Sequence, residues 1–120
     1  MAMATGVGST MLSRLPVALP FILIAAAANA FIEEFVFRSV MLARLSPILG
    51  GQQANWLQTI LFGLSHYFGT PSGPLGVLMS GFLGWLNGKS MLESRGFTIA
   101  FILHFAQDAV IFAFFVLSLA

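Results

Sequence analysis

Long apolar runs separated by short polar interruptions organise the chain, and the interruptions concentrate its helix-breaking residues. SPILGGQQ (46–53) combines proline with a glycine pair, GTPSGP (69–74) is a second breaker, and NGKSMLESRG (87–96) holds much of the charge. These punctuators predict four helices, over residues 20–45, 53–68, 75–87 and 97–120. Pro20 suits a helix start. Residues 1–14 read as a flexible leader and 15–120 as one core domain. The fourth segment has the roughly 20 residues that cross a bilayer core, whereas the second and third are short and read as buried, tilted or partial. The expected fold is all-α: a polytopic transmembrane bundle with four core helices.

Composition agrees with this pattern. The 120 residues are 58% hydrophobic and 8% charged, with a mean hydropathy of +0.95. A soluble domain carries about a quarter of its residues charged, so the chain reads as an integral membrane protein. A net charge of +1 supplies no basic patch for nucleic acid and no polybasic tail for anionic lipid. With no cysteine, disulfides, thiolate nucleophiles and Cys-ligated metal are excluded. Arg14, an apolar run and Ala28-Asn29-Ala30 imitate a cleaved signal peptide, but the apolar pattern continues past Ala30 to Leu42.

Gly76, Ser80, Gly84 and Gly88 form a small-residue stripe that admits a close neighbour. Trp56 and Trp85 fall towards one membrane face, as interfacial aromatics do. Arg44, Lys89 and Arg95 collect on the same face, which the positive-inside rule makes cytoplasmic.

Against this background the polar residues inside the helices stand out: Glu33, Glu34, Arg38, His66, His104 and Asp108, with Thr59 and Gln107 beside them. Counted inward from that face at ~1.5 Å per residue, Glu33, His66 and Asp108 lie ~18–20 Å deep and His104 ~12 Å deep, which is one layer. Glu34 and Arg38 are four apart and can pair. Glu33, turned about 100° from Glu34, is free to face a cavity. His104 and Asp108 project together, and Thr59, Phe62, Gly63 and His66 share a stripe in which Gly63 is expected to leave open space. Ser65 beside His66 is not expected to form a dyad, because adjacent helical residues diverge by about 100°. A single Asp rules out a paired-aspartate mechanism, and no GxSxG is present.

Glu33-Glu34-Phe35-Val36-Phe37-Arg38 fits EExxxR, Phe62 to His66 fits FxxxH, and His104 to Asp108 fits HxxxN/D. In that order the three resemble the signature of the CPBP (Abi) family of intramembrane endopeptidases, which includes type II CAAX prenyl proteases and bacteriocin-processing or immunity proteins. The resemblance implies a multi-pass protein of a bacterial or archaeal cell membrane, acting on peptide or protein substrates among membrane lipids. It implies that Glu33 is the general base for a water held with His66, that His104 and Asp108 face the scissile carbonyl, and that Arg38 neutralises Glu34. An amide at position 108 would donate to the oxyanion directly; Asp108 must be protonated to donate, or else orient His104. A metal-free mechanism is expected, with zinc on Glu33, His66 and His104 as the alternative. A non-catalytic membrane protein of the same fold, an immunity or scaffold protein, is the competing reading.

Overall fold

The computed structural model describes the backbone of residues 2–118 and the side chains of residues 12–118. It is an all-α bundle of four helices. The first is continuous: α1 (Ala2–Glu34) passes through a π-helical segment (Phe35–Leu42) into α2 (Ala43–Leu49). After it come α3 (Gly51–Ser65), α4 (Gly73–Ser94) and α5 (Thr98–Ser118). α1 packs along α5, α3 along α4, and the π segment touches α3 and α4.

Every fourth residue of the first helix from position 22 is buried: Ile22, Ala26, Ala30, Glu34, Arg38 and Leu42. In a regular α-helix, with 3.6 residues per turn, such a stripe drifts about 40° at each step. The π segment corrects the drift, because its i→i+5 bonds put more residues in each turn. The Ala43 N–H, for example, bonds to Arg38 O. Thus the widened turns bring Arg38 and Leu42 back under Glu34.

The helix limits differ from the expected ones in three places. Pro16 and Pro20 lie inside α1, so Pro20 does not start the helix. The first helix also runs on to Leu49, with Pro47 inside it, and the chain turns at Gly50, whose φ of +86° favours glycine. Finally, α4 does not stop near Asn87. Gly88 is a packing position rather than a breaker, a Lys89–Glu93 pair (3.7 Å) and a Ser90 hydroxyl donating to Asn87 O (2.8 Å) support the next turn, and the helix ends at Arg95 with φ +54°.

The glycines bring α3 and α4 together. A Cβ on Gly63 would lie 2.8 Å from Val77 O and 3.2 Å from Gly81 Cα, so this position is closed by backbone and is not the open space expected. Gly84 receives the Phe62 ring, and Gly88 receives the Asn55 and Gln58 carboxamides.

The distribution of polarity is that of a membrane protein. The interior holds Glu34, Arg38, Asn55, Gln58, Asn87, His104 and Asp108, while Phe21, Ile24, Phe68, Leu78, Phe82 and Phe114 project outward. Two helical stretches, Leu12–Leu49 and Thr98–Ser118, are long and apolar enough to cross a bilayer.

Candidate active site

Each main helix contributes to one polar cluster. α1 presents Asn29, Glu33 and Glu34, the π segment Arg38, the end of α3 Phe62 and His66, α4 Asn87, and α5 His104 and Asp108. The ionisable residues singled out from the sequence therefore come together, while Thr59 lies apart with Gln58 at the α3–α4 contact. Within the cluster, two neighbouring glutamates have opposite surroundings.

Glu34 is fully buried and is the anchor. Its Oε1 lies 3.2 Å from Arg38 Nη1, accepts from Asn87 Nδ2 at 3.0 Å, and accepts from His104 Nδ1 at 2.7 Å. The Arg38 guanidinium, equally buried, rests 4.4 Å over the Phe62 ring. A charge this deep is tolerable only with such a partner.

Glu33 keeps about a quarter of its side-chain surface exposed, yet its Oε2 is buried and has no hydrogen-bond partner. Two imidazoles face that atom: His66 Nε2 at 3.6 Å and His104 Nε2 at 3.4 Å. Both rings are fixed through the other nitrogen. His66 Nδ1 donates to Phe62 O at 2.8 Å, and His104 Nδ1 donates to Glu34. With Nδ1 carrying the proton, a neutral ring offers its Nε2 lone pair to the carboxylate side. Phe62 holds this arrangement, with its centroid 4.5 Å from the His66 ring and 5.8 Å from that of His104.

Asp108 lies one turn along α5 from His104, its Oδ1 3.6 Å from His104 Nε2. Its Oδ2 accepts from Asn29 Nδ2 at 3.0 Å. A polar cavity of about 190 Å³ opens beside these groups, with Asn29, Phe62, His66, His104, Gln107 and Asp108 in its wall. A larger hollow of about 520 Å³ lies between α3 and α4, but its lining from Trp56 to Trp85 is apolar and carries no ionisable group.

Two further observations depart from the sequence reading. Ser65 Oγ does come within 3.1 Å of His66 Nδ1, because His66 sits just past the end of α3, off the helical geometry. Both groups converge on the Phe62 carbonyl, so Ser65 is held on the backbone and away from the cavity. Glu33 also has a companion on its own helix. Asn29, one turn earlier, shares a helix face with Glu33 and bonds to Asp108 Oδ2 at 3.0 Å. Its four-residue offset from Glu33 was visible in the sequence but hidden in the signal-peptide-like Ala-Asn-Ala. Asn87 was missed because it looked like a helix end. As for zinc, among the described residues no three His, Asp or Glu side chains are grouped to hold an ion.

Comparison with known proteins adds the family. No curated protein and no solved structure matches the chain. A family model described as Type II CAAX prenyl endopeptidase Rce1-like matches residues 15–110, about four-fifths of the length and all of the cluster. The chain therefore belongs to the Rce1-like family of type II CAAX prenyl endopeptidases.

Proposed function

We propose that this chain is a multi-pass intramembrane endopeptidase in which Glu33 activates the water that hydrolyses a peptide bond of a membrane-associated peptide or protein. One observation carries the reading: the buried Glu33 Oε2 has no partner although two imidazole Nε2 atoms face it at 3.6 and 3.4 Å. Glu34 Oε2, Asn87 Oδ1 and the Arg38 guanidinium nitrogens are also buried without a hydrogen-bond partner, but of these side chains Glu33 alone keeps exposed surface. An ionisable group among apolar helices that reaches open space is by default a working one. A water between Glu33 and His66 would donate to both acceptors at once. The family supports hydrolysis of a peptide bond and directs the search for substrates to prenylated C-terminal peptides.

In this mechanism the water oxygen attacks the carbonyl carbon while its proton passes to Glu33. The protonated Glu33 then delivers that proton to the leaving amine. His66 orients the water, and His104 and Asp108 bound the side of the cavity where the carbonyl lies. Glu34, Asn87 and Arg38 act at one remove, fixing the His104 ring through Nδ1. No step is routed through a metal: a carboxylate base and an imidazole that orients the water are sufficient for this chemistry.

The test is cleavage of a library of prenylated and unprenylated membrane peptides by purified protein in liposomes. Wild type is run beside Glu33→Gln, each with and without a chelator. Loss of about 10²–10⁴-fold in a folded Glu33→Gln protein, with cleavage by the wild type indifferent to chelator, is expected for a base of this kind. Chelator sensitivity would recast Glu33, His66 and His104 as ligands. Undiminished cleavage by Glu33→Gln would sink the proposal, and no cleavage by either protein would favour a non-catalytic binding protein of this fold.

A further inference from the structure

Peptide hydrolysis needs a hydrogen-bond donor for the oxyanion as well as a base, and the groups expected to supply it are turned to other uses. Asp108 Oδ2 is taken as an acceptor by Asn29 at 3.0 Å. His104 spends its Nδ1 proton on Glu34, and its Nε2 faces Glu33 Oε2 at 3.4 Å and Asp108 Oδ1 at 3.6 Å. Asn29, by contrast, has two N–H groups and lines the cavity. Its amide is bonded to Asp108 Oδ2 across the α1–α5 interface at 3.0 Å, and it shares a helix face with Glu33, one turn along its own helix. Gln107, Thr70 and Ser80 also line the cavity, but among the described residues no other carboxamide or hydroxyl bonds to Glu33 or Asp108.

We infer that Asn29 is a catalytic residue which supplies the oxyanion-stabilising amide N–H, with Asp108 as the residue that positions it. The inference rests on the endopeptidase reading above. In the attack step, the bond from water oxygen to carbonyl carbon forms, the water proton goes to Glu33, and the carbonyl π pair moves onto oxygen. Negative charge thereby leaves Glu33 and appears on the substrate. The Asn29 N–H that Asp108 does not hold lies in the cavity wall and turns to the oxyanion as it develops. Asp108 keeps the second N–H and so holds the amide in place. An amide from the first helix thus takes the part that an asparagine at position 108 would play.

The experiment compares four proteins in liposomes on a cleaved peptide from the same library: wild type, Glu33→Gln, Asn29→Ala, and the double variant Asn29→Ala with Asp108→Asn. Thermal unfolding in detergent reports the folded fraction of each. Removal of one oxyanion donor lowers kcat by about 10²–10³-fold, and Asn29→Ala is expected to do so with KM unchanged. The double variant lacks the Asn29–Asp108 link but regains an amide in the cavity, and most of the lost kcat should return. A purely structural tether would show the reverse, with the double variant no better than Asn29→Ala and its stability as low. That result overturns the inference, as does full kcat in a folded Asn29→Ala protein while Glu33→Gln is inactive. If Glu33→Gln cleaves like wild type, or neither cleaves, the endopeptidase reading fails and this one with it.

Discussion

Two buried polar layers lie side by side in this bundle, and only one looks like a site. In the α3–α4 layer the Gln58 Nε2 group meets Asn55 Oδ1 at 2.7 Å, Thr59 Oγ1 at 3.1 Å and Gly84 O at 2.8 Å, while Asn55 Nδ2 donates to Trp85 O. Every member is neutral, and the glycines at 63, 84 and 88 bring the helices tight against it. The α1–α5 layer contains three carboxylates, two imidazoles and a guanidinium, and it borders a polar cavity. Neither layer is fully satisfied: Gln58 Oε1 lacks a hydrogen-bond partner in one, and Glu33 Oε2, Glu34 Oε2, Asn87 Oδ1 and the Arg38 guanidinium nitrogens in the other. The difference lies in exposure and in what faces Glu33. Its side chain alone among these keeps exposed surface, and its Oε2 has two ring nitrogens within 3.6 Å. Burial of polar groups alone thus does not mark function in a membrane bundle; ionisable groups beside reachable space do.

The comparison predicts that substitutions in the two layers fail in different ways. The largest effect on folding is expected at Arg38. Arg38→Met leaves Glu34 without its cation in a fully buried position, and removing one member of a buried pair costs about 3–5 kcal/mol. Thermal unfolding in detergent checks the value. The double variant Arg38→Met with Glu34→Gln should recover part of the loss, because no uncompensated charge then remains. Equal stability of the two proteins would mean that the pair does not hold the first helix.

Next in size is Gly88→Leu. The new side chain must displace the Asn55 and Gln58 carboxamides, and overpacking of this kind costs about 1–3 kcal/mol. Unfolding in detergent should report the loss, while kcat per folded molecule stays at the wild-type level. A fall in kcat would show that the two layers are mechanically coupled.

How much of this was legible beforehand follows from the kind of signal each residue gives. Four helices could be read from the apolar runs, and the pairing of Glu34 with Arg38 from their four-residue spacing. The convergence of Glu33, His66, His104 and Asp108 followed from their common depth. The π segment was not legible as such, because no residue type encodes an i→i+5 bond. Its trace is the continuation of every-fourth burial beyond Glu34 to Arg38 and Leu42. Asn29 and Asn87 were missed for a related reason. A carboxamide in an apolar run shows its importance only when its partner on another helix is known, and those partners lie 79 and 53 residues away. Gly88 was read both as part of the packing stripe and as part of a turn, since a glycine that packs a helix and one that breaks it look alike in one sequence, and the packing role is the one it has.

The smallest effect sharpens the contrast most. Gln58→Met keeps much of the side-chain volume but removes the amide that links Asn55, Thr59 and Gly84. Two well-formed acceptors, Asn55 Oδ1 and Gly84 O, then lose their donor, at about 1–3 kcal/mol. The same substitution also removes Gln58 Oε1, which is buried and unpaired, and that offsets part of the loss. The net change should therefore fall near the lower end of that range, with cleavage per folded molecule unaffected. A stability change of that size with unchanged kcat would make this layer a device for packing α3 on α4. A Gln58→Met protein that folds normally but cleaves slowly would instead show that Phe62 and His66, which sit on the same helix, depend on it for their placement.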